Sequence, residues 1–129
     1  LLQRIKAEKA KTGKKEKPLP PIKEEEIPFE IPENWVWCRL GDLGQTQTGT
    51  TPSTQNREFF GKDVPFIKPA DINLNEINYT NEGLSFLGLE RGISVPTDSL
   101  MMVCIGGSIG KSNFTMFDVS CNQQINTIK

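Results

Sequence analysis

The chain has 129 residues, of which 36% are hydrophobic, 24% charged and 8% aromatic, and its formal net charge is −1. That is apolar material for one modest domain and too much for a disordered tail, and no run approaches the roughly 18–20 apolar residues of a membrane helix. Histidine is absent, which removes Ser-His and Cys-His nucleophile pairs, His-bearing zinc sites and the usual base near neutral pH. The opening residues Leu1-Leu2-Gln3-Arg4 lack a signal-peptide core, and without an initiator Met the chain reads as a fragment of something longer. Cys38, Cys104 and Cys121 form no C-x-x-C pair and lie in apolar stretches. They read as buried free thiols of a reducing compartment, by default the cytoplasm.

Residues 1–11 contain good helix formers, with Leu1, Leu2 and Ile5 on one side and Glu8 and Lys9 turned away. They predict the end of a longer helix, with Gly13 as its stop. Residues 12–33 form a charged linker with Pro18, Pro20, Pro21, Pro28 and Pro32. Proline fixes φ and removes donors, so an extended crossing is expected there. From residue 34 to 129 the pattern is that of a β-rich domain. Strand candidates are Trp35–Leu40, Val64–Ile67, Ile77–Thr80, Ile93–Val95 and Phe114–Phe117, with Leu100–Ile105 read as a strand buried on both faces. Tyr79 to Leu89 reads as loop or one short helical turn. The final Gln123–Lys129 alternates polar and apolar residues and stops without a turn signal, so the domain is expected to be incomplete at its C-terminal side. Such a cut edge would favour self-association.

Charge is unevenly spread: residues 1–17 carry +5 and residues 18–129 carry −6. The basic run Lys14–Lys17 has the charge to contact phosphate, but a solvated linker face explains it better. The acidic remainder lacks the basic balance of a freestanding nucleic-acid binder.

Catalytic motifs are approached and missed. Gly106-Gly107-Ser108-Ile109-Gly110-Lys111-Ser112 is one residue short of a phosphate loop and leads into a strand pattern rather than a helix. As structure it is a tight hairpin; as chemistry, Ser108, Lys111 and Ser112 can donate to phosphate. Asp71 and Glu76 suggest a metal-dependent nuclease, but Asn78 stands where a Lys is needed, so a solvated loop is expected. Glu24-Glu25-Glu26 sits in the linker with no pocket to raise a pKa. Nothing here makes an enzyme.

Uncharged polar runs are more informative. Gln45 to Asn56 is a continuous donor and acceptor stretch, and Asn122-Gln123-Gln124 is another. Asn and Gln pair bidentately with adenine edges, while Ser and Thr serve bases or phosphates. The same residues also saturate turns.

Several segments together resemble a target recognition domain of type I restriction-modification specificity subunits. They are Ile31-Pro32-Glu33-Asn34-Trp35-Val36-Trp37-Cys38-Arg39-Leu40-Gly41; Thr48-Gly49-Thr50-Thr51-Pro52-Ser53; Phe60 to Ile72; Gly106-Gly107-Ser108-Ile109-Gly110; and Asn122-Gln123-Gln124. Leu1–Lys11 resembles the end of the helix preceding such a domain. The resemblance implies an α/β (α+β, β-rich) fold with a twisted sheet and irregular loops, and a non-catalytic reader of one half of a bipartite site in double-stranded DNA. It implies methyltransferase and restriction subunits as partners, and these hold S-adenosylmethionine, ATP and Mg; no cofactor or metal is expected in this chain. Ranked by chemistry, the contact candidates are Thr48, Thr50, Thr51, Ser53, Lys68, Ser108, Lys111, Asn122, Gln123 and Gln124. Lys68 and Lys111 would hold phosphate while the amides and hydroxyls read base edges. The rival class is a β-rich module that docks a protein partner and no nucleic acid.

Overall fold

In the computed structural model, which describes residues 1–11 and 18–129, contacts divide the chain into two units, Leu1–Gln45 and Thr46–Lys129. Gly13 and the basic run 14–17 lie outside the described residues.

In the first unit, α1 spans Leu2–Lys11, a segment free of Gly, Pro and β-branched runs. Lys6 Nζ lies 3.4 Å from the Asp42 carboxylate. Lys9, expected to face solvent, is half-buried and donates to the Gly41 carbonyl. The prolines keep 18–33 largely extended, as expected, with a single 3-10 turn at Glu24–Glu26. Trp35–Leu40 is not a strand: it has no ladder partner and ends in α2, Leu40–Leu43. Side-chain bonds hold it in place of a ladder. The Arg39 guanidinium forks onto both Glu26 carboxylate oxygens at 2.7 and 2.8 Å and also donates to the carbonyls of Pro20 and Pro21.

The second unit is built on two sheets, giving the mixed α/β fold expected. The strands are β1 Thr46–Thr48, β2 Phe60–Ile67, β3 Gly83–Leu84, β4 Leu100–Val103, β5 Ser112–Phe114, β6 Ser120–Cys121 and β7 Ile125–Ile128. One sheet has the order β1-β7-β4-β5, antiparallel throughout; the other runs β3-β2-β6, with β2 and β6 parallel. A short helix α3, Phe86–Leu89, follows β3 and is capped by Ser85, whose hydroxyl accepts from Gly88 N.

The core joins Ile67, Ile72, Ile77, Val95, Met101, Val103, Val119, Cys121 and Ile125, with Tyr79 and Ile93 packed against it. Alternation decides which face each strand buries. In β4, Met101 and Val103 are buried and Leu100 and Met102 half-buried, while Cys104 and Ile105 lie past the strand end and are exposed. The run is therefore a four-residue strand with one fully buried face, and Cys104 is not a buried thiol. Ile77 and Val95 make isolated bridges to Ile72 and Val119 rather than strands, and β5 stops at Phe114. Asp71, expected in a solvated loop, is buried; its carboxylate accepts from Lys68 N at 2.8 Å and from Asn81 Nδ2 at 2.9 Å. It organises the turn after β2 and is spent in doing so.

Candidate nucleic-acid interface

The polar stretch after β1 and the one before β7 are more than seventy residues apart in sequence, yet the structure sews them together. β1 pairs with β7 in the register Thr46 to Ile128 and Thr48 to Asn126. Beyond the ladder, Gly49 N donates to Ile125 O and Thr50 N to Cys121 O, both at 2.9 Å. The approach is closer than any side chain permits: a Cβ at Gly49 would lie 2.0 Å from the Asn122 carbonyl oxygen. Glycine is required here by backbone contact.

This seam orients the side chains. Thr51 Oγ1 donates to Gln123 Oε1 at 2.7 Å, and Thr48 Oγ1 donates to Asn126 Oδ1 at 2.9 Å. Each carboxamide is thus steadied through one lone pair of its oxygen. The second lone pair remains, and neither NH2 group has a partner among the described residues. Thr48, Thr50, Ser53, Gln123 and Asn126 are exposed and Thr51 is half-buried. An amide pre-oriented in this way can offer the donor and acceptor pair that an adenine edge requires.

The third segment is the glycine turn between β4 and β5. Cys104 N donates to Gln124 O at 2.8 Å, and Gln124 Nε2 donates to Ile105 O at 3.4 Å. Ser108 is half-buried and Lys111 exposed, with no partner for its ammonium among the described residues. Residues 46–56, 104–112 and 120–126 together contain one charged side chain, Lys111, and no carboxylate.

Two candidates sit differently. Asn122 is 7% exposed; its Nδ2 donates to Gln124 Oε1 at 3.0 Å and its Oδ1 accepts from Gln124 N at 3.2 Å, so it props Gln124 from beneath. The Lys68 ammonium is engaged by the Glu82 carboxylate, which competes with any phosphate. Asn126 is the residue the sequence reading missed, although its place between buried Ile125 and Thr127 marks it as outward-facing. Beneath the seam, burial pushes the Cys121 thiol up to about 12, leaving it protonated and inert.

A cleft of about 360 Å³ lined by Lys62, Pro65, Tyr79, Asn81 and Glu82 shares no residue with these loops. No group of three His, Cys, Asp or Glu side chains able to hold a metal occurs among the described residues. Nor, among them, is any helix long and apolar enough to cross a membrane.

Residues 32–129 match the family model of the type I restriction modification DNA specificity domain. The chain is 40% identical over 101 residues to the type I restriction enzyme HindI specificity subunit of Haemophilus influenzae, covering 76% of this chain and 22% of that protein. Against the EcoEI specificity subunit of Escherichia coli it is 50% identical over 70 residues, half of this chain and 12% of the relative. Against the EcoAI specificity subunit of Escherichia coli it is 62% identical over 48 residues, 33% of this chain and 8% of the relative. The chain thus spans about a fifth or less of the length of these relatives.

Proposed function

Since the chain belongs to the type I restriction modification DNA specificity domain family, we propose that it reads one half of a bipartite double-stranded DNA site through the three polar loops just described. The observation that carries this reading is the seam between residues 48–51 and 121–126, which fixes the Gln123 and Asn126 carboxamides outward on loop segments that contain no carboxylate. Thr48, Thr50, Ser53, Gln123 and Asn126 read base edges. Lys111 and the Ser108 hydroxyl engage phosphate and set register. Thr51, Asn122 and Gln124 hold the readers in place. Methylation and cleavage belong to separate methyltransferase and restriction subunits, which bind S-adenosylmethionine, ATP and Mg, and the assembly works in the cytoplasm.

The test uses the whole specificity protein and a panel of duplex oligonucleotides. Lys111→Ala weakens every duplex about equally and lowers the log–log salt slope by about one. Gln123→Ala instead changes which duplex is preferred, altering discrimination by about 1–3 kcal/mol. If both variants bind as the parent does, the reading surface lies elsewhere.

A further inference from the structure

The turn between β4 and β5 carries two side chains that hydrogen-bond readout leaves unused. Ile105 is 56% exposed and Ile109 68% exposed, although Met101 and Val103 just before them are fully buried. The loop around them is tightly bonded. Val103 N donates to Lys111 O at 2.9 Å and Gly110 N to Val103 O at 3.0 Å. Lys111 N closes a four-residue turn onto Ser108 O at 3.2 Å, with Ile109 and Gly110 as its corners. Gly110 has φ +92°, the value a type II turn demands of its third residue. The backbone therefore fixes Ile109 at an outward corner. A Cβ at Gly107 or Gly110 would meet nothing within 4 Å, so the tip stands clear of the rest of the protein.

A branched aliphatic pair displayed on a loop of hydroxyls, with one cation and no acid, suits a partner that is anionic around an apolar point. Duplex DNA offers that combination in its major groove, where thymine alone among the four bases presents a C5-methyl group. Lys111, two residues beyond Ile109, supplies the complementary charge for the neighbouring phosphate. Gln124 ties the loop to the seam through the Ile105 carbonyl. We infer that Ile109, together with Ile105 on the same turn, contacts a thymine methyl and helps to determine which sequence is recognised. This rests on the DNA-reading role of the same face.

The experiment selects binders from a random duplex pool with the whole specificity protein in complex with its partner subunits, then replaces each thymine of the enriched half-site by deoxyuridine. Deoxyuridine keeps every hydrogen-bonding group and removes only the methyl. At one position the wild type should lose about fourfold in affinity, the worth of one buried methyl group. Ile109→Ala or Ile105→Ala should bind thymine and uracil there equally, with unchanged far-UV circular dichroism. Tolerance of uracil everywhere, a half-site made only of G·C pairs, or undiminished uracil sensitivity in both variants overturns the inference while leaving DNA reading intact. A rise in 2-aminopurine fluorescence without uracil sensitivity also overturns it, since that assigns the isoleucines to unstacking bases. Enrichment of no sequence at all removes the DNA-reading role itself, and the inference with it.

Discussion

Gly49→Ala tests the seam on which the interface depends. The added methyl would lie 2.0 Å from the Asn122 carbonyl oxygen, 2.6 Å from its carbon and 2.7 Å from the Cys121 oxygen, all backbone atoms that no rotamer change can move. Ordinary contact begins near 3.4 Å, so one strand must retreat by about 1.4 Å, enough to take a 2.9 Å hydrogen bond beyond useful length. The Gly49–Ile125 and Thr50–Cys121 bonds would both be lost, each worth about 0.5–1.5 kcal/mol net. The expected destabilisation is about 2 kcal/mol, which lowers a urea midpoint by roughly 1 M. Hydrogen exchange should localise the change, with the Thr50 amide losing its protection. Discrimination among duplexes should fall too, because Thr48, Thr51, Gln123 and Asn126 lose their mutual alignment. Gly107→Ala is the control: it has open space and no positive φ, so it should stay within about 0.5 kcal/mol of the parent. A Gly49→Ala protein with the parental midpoint and a protected Thr50 amide would refute the reasoning.

Two further outcomes follow from groups outside the seam. Iodoacetamide at pH 8 should label exposed Cys104 in the native protein and spare Cys121, whose burial pushes its thiol up to about 12; equal labelling rates by mass spectrometry would contradict the burial assigned to Cys121. In the first unit, the hydrogen bonds from Arg39, then that from Lys23 N, hold the Glu26 carboxyl down to about 2 from its usual 4.5. A depressed acid stabilises above its unfolded value, so the pairing should be fully present above about pH 4.5 and lost as the pH falls through about 2. Fluorescence of Trp35 and Trp37, both in that unit, should report the loss, whereas Glu26→Gln should show it already at pH 7; a variant indistinguishable from the parent at both pH values would mean that the Arg39 fork does not order the segment.

What could be read from the sequence was what depends on neighbouring residues. Proline spacing gave an extended linker up to residue 33, the apolar run Leu100–Ile105 located β4, and the alternation of residues 123–129 located β7. Trp35–Leu40 misled because β propensity reports a side chain's taste for a pleated surface and not the presence of a partner strand. Arg39 supplied the alternative anchor through Glu26, thirteen residues earlier. Ile77 and Val95 failed as strands for a related reason, each finding a partner for a single bridge only. The site shows the same limit. Lys68 looked free because its partner Glu82 lies fourteen residues on, and Asn122 looked outward although Gln124, two residues on, satisfies its carboxamide. The seam itself joins residues 48–51 to 121–126, a pairing no local pattern encodes.

The proposed DNA-reading role has to be reconciled with an acidic chain, and the distribution of charge does so. Unit Thr46–Lys129 holds six Lys or Arg against eight Asp or Glu, a net −2, and on that sum alone a polyanion should be repelled. The sum is the wrong quantity at contact range, because screening at physiological salt confines exposed charges to about 8 Å. Within the three polar loops the local charge is +1. The eight acids lie outside these three segments in sequence, Glu58 and Asp118 each two residues beyond an end of one, and Glu82 is paired with the Lys68 ammonium. Such a face neutralises few phosphates and so contributes little sequence-independent affinity. What it retains is hydrogen-bonding and apolar complementarity, which differ from one base pair to the next. A face of this kind therefore adds discrimination among sequences rather than the non-specific attraction that all sequences share.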